Sequence, residues 1–360
     1  MHADPIARLC SAEGVSTRRQ ACVPSASVRV GLLINPHARR LRRRSPRERL
    51  GGLLGDPAAV VETRDLASLR RALARLLTDG RANVLAVAGG DGTVHHVVNA
   101  LIQLDRESVD DGLGAPPRPR ILILNGGTLN IVGRTVAIHG TPRYTLERFL
   151  AYFRGAPLSR VPARRLPLLE VRWGDALPRY GFVFGSEAPR HAIDLYTRYG
   201  AGYSGLSRFL FEVVRGVHGG SRLWQEEGWK LGPFQDLLVD DRRYALYTAA
   251  VASTVDLTLA VGAVRAIRRP LLAPGFFAKV VEETEPRRMV ALLPRLMTER
   301  DAPGVSDHPN ARRMQLFGPY TLDGESFDEP AYGARRLALT VGESQERLHA
   351  VPGELGAEEW

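Results

Sequence analysis

One pattern restricts this chain more than any other: an apolar, strand-like run, Asn83 to Ala88, ends abruptly in Gly89-Gly90-Asp91-Gly92-Thr93, and a helical stripe of Val94, Val97, Val98 and Leu101 follows at once. The same transition recurs downstream, where Ile121 to Leu124 runs into Gly126-Gly127-Thr128. Two such turns in one half-chain put two sets of backbone N–H groups at one edge of a sheet, where the start of a helix favours an anion. That edge is expected to hold phosphate. Gly89, Gly90 and Gly92 allow the sharp bend and a close approach to the backbone, while Thr93 supplies a cap and a hydroxyl. A lysine-based phosphate loop is excluded, because the only lysines are Lys230 and Lys279 and neither follows a glycine.

Around these turns, short apolar runs alternate with longer periodic ones, as in a parallel sheet covered by helices. Val28 to Ile34 reads as a strand closed by Asn35-Pro36, and Ala58 to Thr63 as a weaker one. Leu66, Leu69, Leu73, Leu76 and Leu77 mark a helix that stops at Gly80, a polar loop is expected over 105–119, and a helix over 144–154 closes the half. Beyond Gly155-Ala156-Pro157 the texture turns to strand-like runs at 166–173, 180–184, 244–253 and 315–322, with helical spacing at 188–199, 204–217 and 287–297. The expected fold is an α/β N-terminal domain with a parallel sheet and glycine-rich nucleotide loops, plus a β-rich (α+β) second domain. The expected boundaries are a disordered leader over 1–27, the α/β domain over 28–156, the β-rich domain over 157–341, with a C-terminal segment able to pack back on the first domain, and an acidic tail over 342–360. A chain of 360 residues exceeds what one core usually fills, in keeping with two domains.

The net charge of +10 is unevenly placed: residues 1–50 hold eleven arginines against Asp4, Glu13 and Glu48. Such asymmetry points to an anionic partner. Seven of these arginines fall between Arg39 and Arg49, directly after the first phosphate-facing turn, where they meet either a polyphosphate or anionic lipid headgroups, or form a solvated surface run. Nucleic acid is disfavoured, since no interleaved aromatics and no nucleic-acid-binding motif accompany the run. Cys10 and Cys22 make neither a disulfide framework nor a four-ligand zinc site, so a reducing, cytoplasmic compartment is the expectation. No stretch reads as a secretory signal, and the most apolar window, 245–264, is interrupted by Ser253, Thr254 and Asp256, so any membrane contact is expected to be peripheral.

Asp91 is the odd member of its turn. A carboxylate among anion-binding N–H groups is costly unless a metal or a chemical role compensates it; the plainer reading is a tight turn with an N-cap. Asp323-Gly324 reads by itself as a hairpin turn. His95 and His96, adjacent on a helix and about 100° apart around it, read as helix-face or nucleotide-neighbour residues rather than as a shared metal site. Phe209, Phe211, Tyr199 and Tyr203 read as core or as the lining of an acyl-chain pocket, and Trp224 and Trp229 as loop residues able to reach a membrane surface.

Gly89 to Thr93 after a strand, Asn35-Pro36 after the first strand, Gly127-Thr128-x-Asn130 after the fourth and Leu322-Asp323-Gly324-Glu325 near the C-terminus together resemble the diacylglycerol kinase-like lipid kinases, which include sphingosine kinases and bacterial lipid kinases. The resemblance spans about residues 28–341 with the motifs in the family's order. It implies a cleft between two domains, the β-rich one over 157–341 being the lipid-substrate domain, and in that cleft Asn35, Thr63, Gly89, Gly90, Asp91, Gly92, Thr93, Gly127, Thr128 and Asn130 meet ATP, with Asp91 and Glu325 as catalytic carboxylates. ATP and Mg²⁺ are the implied cofactors, a lipid alcohol such as diacylglycerol or a sphingoid base the implied substrate, and an anionic membrane surface and a second copy of the chain are compatible partners. Without a phosphate-loop lysine, charge on the transferred group must be balanced by Mg²⁺, helix N-termini and arginines, and nearby carboxylates serve as metal anchors or as the base for an alcohol. The second loop lacks the family's proline and final acid, reading Asn125-Gly126-Gly127-Thr128-Leu129-Asn130-Ile131, and the first continues as His37-Ala38-Arg39-Arg40 rather than Ser-Gly. Alternatives are a small-molecule kinase related to NAD kinases or phosphofructokinases, which share the Gly-Gly-Asp-Gly turn, and a catalytically silent nucleotide or lipid sensor.

Overall fold

A computed structural model describes residues 26–354 except 43–44, 111–116, 199–207, 209–210, 213, 217–218, 220–235, 260–263, 270–272, 286, 289–290, 293–294, 296–301, 329 and 333–334. Cys10, Cys22, Tyr199, Tyr203, Phe209, Trp224 and Trp229 lie outside the described residues, as does most of the expected leader.

The first domain is an α/β layer. Strands β1 (Val30–Ile34), β2 (Val60–Glu62), β3 (Val84–Gly89) and β4 (Arg120–Asn125) are parallel in the order β2-β1-β3-β4. β1, β3 and β4 are near-continuous apolar runs because helices cover both faces. On one side pack α2 (Leu66–Ala74) and α3 (Asp91–Asp110), through Leu69, Leu73, Val94, Val97 and Leu101; on the other pack α1 (Pro46–Gly51) and α5 (Pro142–Phe153), through Leu50, Leu146, Phe149 and Phe153. Between β4 and α5 lies the single turn α4 (Ile131–Thr135). Local signals set several ends: Asp65 and Ser68 close a capping box on α2, and Thr141 with Pro142 starts α5. The loop expected from residue 105 is helical as far as Asp110, since Arg70 pairs with Glu107, Arg118 with Asp105, and Arg106 with the Tyr180 hydroxyl, so this polar stretch finds partners as helix.

The second domain is β-rich. Its strands are β5 (Arg164–Arg172), β6 (Arg179–Gly181), β7 (Val183–Glu187), β8 (Leu237–Val239), β9 (Arg242–Tyr244), β10 (Ala249–Ser253), β11 (Leu257–Leu259), β12 (Val264–Ile267), β13 (Phe276–Val281), β14 (Val305–Ala311), β15 (Arg313–Leu316), β16 (Tyr320–Leu322), β17 (Glu325–Phe327), β18 (Ala331–Tyr332), β19 (Arg335–Arg336) and β20 (Leu339–Ala350), with α6 (Ala188–Arg198) after β7. A six-stranded antiparallel sheet runs β14-β13-β10-β7-β16-β17. It packs on β5, β8, β15 and β20 through Phe184, Tyr247, Phe276, Met314, Tyr320 and Val341.

Two findings revise the sequence-based expectation. The run 315–322 is not one strand: β15 belongs to the large sheet and β16 to the six-stranded one, and the chain changes sheets at Phe317-Gly318-Pro319, where Gly318 takes φ +118°. Residues 342–350, expected as part of an acidic tail, lie in β20. That strand pairs antiparallel with β5 and β15 and meets β4 at Ala350 opposite Ile121, which makes the parallel sheet continuous with the second domain.

Candidate active site

Every loop singled out from the sequence lies at the C-terminal ends of the parallel strands, the edge at which open α/β sheets take ligands. Asn35 follows β1 and donates from Nδ2 to Thr93 Oγ1 at 2.9 Å, while its Oδ1 accepts from the backbone N–H of His37, also at 2.9 Å. Thr63 follows β2, is buried, and donates its backbone N–H to Ile34 O at 2.9 Å. The two glycine turns lie against each other: Gly126 N–H donates to Gly89 O at 2.7 Å, and a Cβ on Gly127 would stand 2.6 Å from Gly90 Cα. A Cβ on Gly89 would overlap the Thr93 side chain. Glycine is therefore required here by contact between two backbones as well as by the bend. Asn130, at φ +50°, closes the second turn on itself, accepting from Gly127 N–H and donating to Gly127 O. Arg40 N–H donates to Gly126 O at 3.0 Å, so the arginine-rich loop after β1 lies beside the second turn.

The compensation for Asp91 is visible. Its Oδ1 accepts from Val132 N–H at 3.2 Å, at the first turn of α4. Burial pushes its carboxyl up to about 6, against the backbone N–H groups of Ile131, Val132 and Asn130, which hold it down; nearby Asp323 adds to the rise. The start of α4 is thus occupied by the protein's own carboxylate. Two helix starts were expected to converge on phosphate, and α3 is the one left facing the edge, with its first N–H groups beyond the reach of any intrahelical acceptor.

The second domain brings its hairpin to this edge. Leu322 pairs with Glu325 across the two-residue turn Asp323-Gly324, whose φ values of +54° and +88° are those of a type I′ hairpin. The motif is a hairpin turn, as its residues read alone, and it delivers Glu325 to α3. The Glu325 carboxylate stands so close to Gly92 that a Cβ there would overlap Oε1. The Asp323 side chain, 2% exposed, is bound on both oxygens: Oδ1 accepts from the N–H groups of Phe182 and Val183 at 2.9 Å each, and Oδ2 lies 3.0 Å from His95 Nδ1. Glu325 is 42% exposed, with Oε2 3.8 Å from His96 Nε2. The His96 imidazole holds the Glu325 carboxyl below its ordinary value, outweighing the opposing effect of partial burial.

Sequence reasoning missed the clamp that makes this juxtaposition rigid. Asn99, one turn after His95, donates from Nδ2 to Tyr180 O at 2.7 Å and accepts from Tyr180 N–H at 2.9 Å, and Arg106 reaches the Tyr180 hydroxyl. One face of α3 is thereby bound along its length to β6. Asn99 carries a local hint, as a partly buried polar residue one turn after the buried His95 on α3.

Residues 29–155 match the family model described as the diacylglycerol kinase catalytic domain. That match spans nearly the whole first domain and ends before the second. No curated protein is significantly similar to the chain in sequence. Among solved structures, a protein of Bacillus anthracis str. Sterne assigned as a diacylglycerol kinase superposes with a TM-score of 0.60 at 13% identity, covering 90% of this chain and 97% of that one. Another, described as a diacylglycerol kinase of the same organism, superposes with a TM-score of 0.54 at 12% identity, covering 91% and 97%. At such identities the likeness establishes the fold: the diacylglycerol kinase-like architecture extends across both domains. Together, family and fold support a lipid kinase. Among the described residues no helix is long and apolar enough to cross a membrane.

Proposed function

We propose that the protein is an ATP- and Mg²⁺-dependent lipid kinase that phosphorylates the hydroxyl of a lipid alcohol, such as diacylglycerol or a sphingoid base, in the cleft between its domains. The observation that carries this reading is the seat of the Glu325 carboxylate on Gly92, which puts a half-exposed base at the start of the helix that receives the phosphates.

The edge fits a triphosphate: the two glycine turns carry no side chains where Gly90 and Gly127 meet, and the first three N–H groups of α3 have no intrahelical acceptor. Asn35, through Thr93, fixes the hydroxyl beside them. Mg²⁺ bound with the nucleotide supplies charge neutralisation on the transferred phosphoryl group. The described residues hold no ready-made cluster of three or more His, Cys, Asp or Glu for a metal, which suits an ion carried mainly by phosphate oxygens and water.

In this reading the lipid hydroxyl hydrogen-bonds to Glu325, which accepts its proton as the oxygen attacks the γ-phosphorus. The bond from that phosphorus to the bridging oxygen breaks, and ADP leaves. Asp91, held on α4, fixes the two glycine turns relative to each other and adds negative charge that keeps the site selective for a cation-bound nucleotide. The exposed Arg39, Arg40, Arg42, Arg47 and Arg49 bring the cleft to an anionic bilayer, so the enzyme acts from the cytoplasmic side as a peripheral protein.

The test is incubation with γ-labelled ATP, Mg²⁺ and a lipid panel of diacylglycerol, monoacylglycerol, sphingosine and a polyprenol. Label is expected in an organic-soluble phosphate monoester of one of them. In a parallel incubation with NAD and a hexose phosphate in place of the lipids, label in either, or label in no product of any incubation while ATP binds, would transfer the protein to the small-molecule kinases or to the silent sensors.

A further inference from the structure

His95 and His96 are neighbours in sequence, yet the fold sends them to different carboxylates of one hairpin. His95 meets Asp323, and the two side chains are 3% and 2% exposed, a contact sealed inside the joint between domains. His96 meets Glu325, and these two are 29% and 42% exposed, a contact open to the cleft. The imidazoles touch edge to face, with centroids 5.1 Å apart and planes at 75°. A ring fixed on both sides by Asp323 and α3 therefore backs a ring that faces the reacting region.

We propose that His96 is a positioning residue: it holds the Glu325 carboxylate over the first turn of α3, against Gly92, in the orientation needed to receive the lipid hydroxyl. This rests on the lipid-kinase reading above. Three features of the geometry support it. His96 follows Gly92 by four residues, so both lie on one face of α3, and a carboxylate seated on Gly92 has the His96 ring as its neighbour one turn on. Glu325 lies in a three-residue strand at the end of a hairpin, next to the exposed Ser326, and its long side chain needs an outside contact to choose one rotamer. The 3.8 Å separation is one that a small rotation of either side chain, or one bridging water, converts into a hydrogen bond.

Two measurements test this independently. In [15N]histidine-labelled protein, Glu325→Gln is expected to move the His96 ring nitrogen signals and to leave those of the distant His308 and His349 in place; unmoved His96 signals overturn the pairing whether or not the protein is active. In mixed micelles of dioctanoylglycerol or sphingosine with ATP and Mg²⁺, His96→Ala is expected to lower kcat about tenfold with KM for ATP within about twofold, and His96→Gln, which keeps an N–H near the same place, to recover most of the loss. Both variants are expected to melt within about 3 °C of wild type, because the contact is half-exposed. An unchanged kcat in His96→Ala, a loss carried wholly by KM for ATP, or a glutamine variant as impaired as alanine would each overturn the positioning role. If wild-type protein phosphorylates none of the lipids, the kinase reading fails instead, and the nitrogen signals alone decide whether His96 holds Glu325.

Discussion

His95 Nδ1 lies 3.0 Å from Asp323 Oδ2 inside the joint between the two domains, so helix α3 of the first domain and a hairpin 228 positions away share one buried polar contact. Removing the carboxylate also orphans the N–H groups of Phe182 and Val183. Asp323→Ala is therefore expected to lower the free energy of unfolding by about 3–5 kcal/mol in urea titrations. A loss below about 1 kcal/mol would show that the joint does not depend on this contact.

Gly92→Ala should separate chemistry from stability. The added Cβ takes the place of Glu325 Oε1, the end of a flexible side chain that can swing aside. Turnover is expected to fall by about 10²-fold, the cost of misplacing a reacting group by about 1 Å. Melting temperature should hardly move. Gly90→Val, by contrast, pushes on the Gly127 backbone and is expected to abolish ATP binding in calorimetry; unchanged affinity would mean the phosphate edge lies elsewhere.

Asp91 gives stability a distinctive pH dependence. Its carboxyl is raised from 3.8 to about 6 in the folded protein, so between those values the folded state binds more protons than the unfolded one. The contribution of this group to stability is present below pH 4, falls as pH rises to about 6 and is absent above, by up to about 3 kcal/mol. Asp91→Asn removes that slope. Denaturation curves at pH 4.5 and 7.5 should therefore show the variant gaining on wild type at the higher pH, and parallel changes in the two proteins would contradict the raised value.

Glu325→Gln preserves shape and removes the base. Turnover on the lipid that proves to be substrate is expected to drop by about 10² to 10⁴, with ATP affinity nearly unchanged. Near-normal turnover would remove Glu325 from the chemistry.

Vesicle binding should be electrostatic. Exposed Arg39, Arg40, Arg42, Arg47 and Arg49 are screened over about 8 Å at physiological ionic strength and about 3 Å at 1 M salt. Sedimentation with anionic vesicles is expected at low salt and to be lost at 1 M. Binding that survives at 1 M would demand an apolar anchor instead.

Much of this protein was legible before any coordinates. Val30 to Ile34, Val84 to Ala88 and Ile121 to Leu124 are uninterrupted apolar runs, and such runs closed by glycine or Asn-Pro define buried parallel strands through their own composition. Gly89 to Thr93 and Gly126 to Thr128 announced two turns at one edge of the sheet, because bends of that sharpness need glycine wherever they occur. Asn35, Thr63 and Asn130 were named through the family resemblance, and the structure places all three at the C-terminal ends of the parallel strands. All of this is local, written within a few residues of each position.

What the tertiary structure alone decided is the partnership across the cleft. The pairing of His95 with Asp323 and of His96 with Glu325, the setting of Asn99 on Tyr180, and the capture of Asp91 by α4 join residues that no spacing relates. The run 315–322 carried no sign that its halves would enter different sheets, nor did 342–350 show that an acidic segment would become the strand joining the domains. Periodicity reports which face of an element is apolar. Which polar group opposes it depends on where distant chain returns, and that is set by the packing of whole layers.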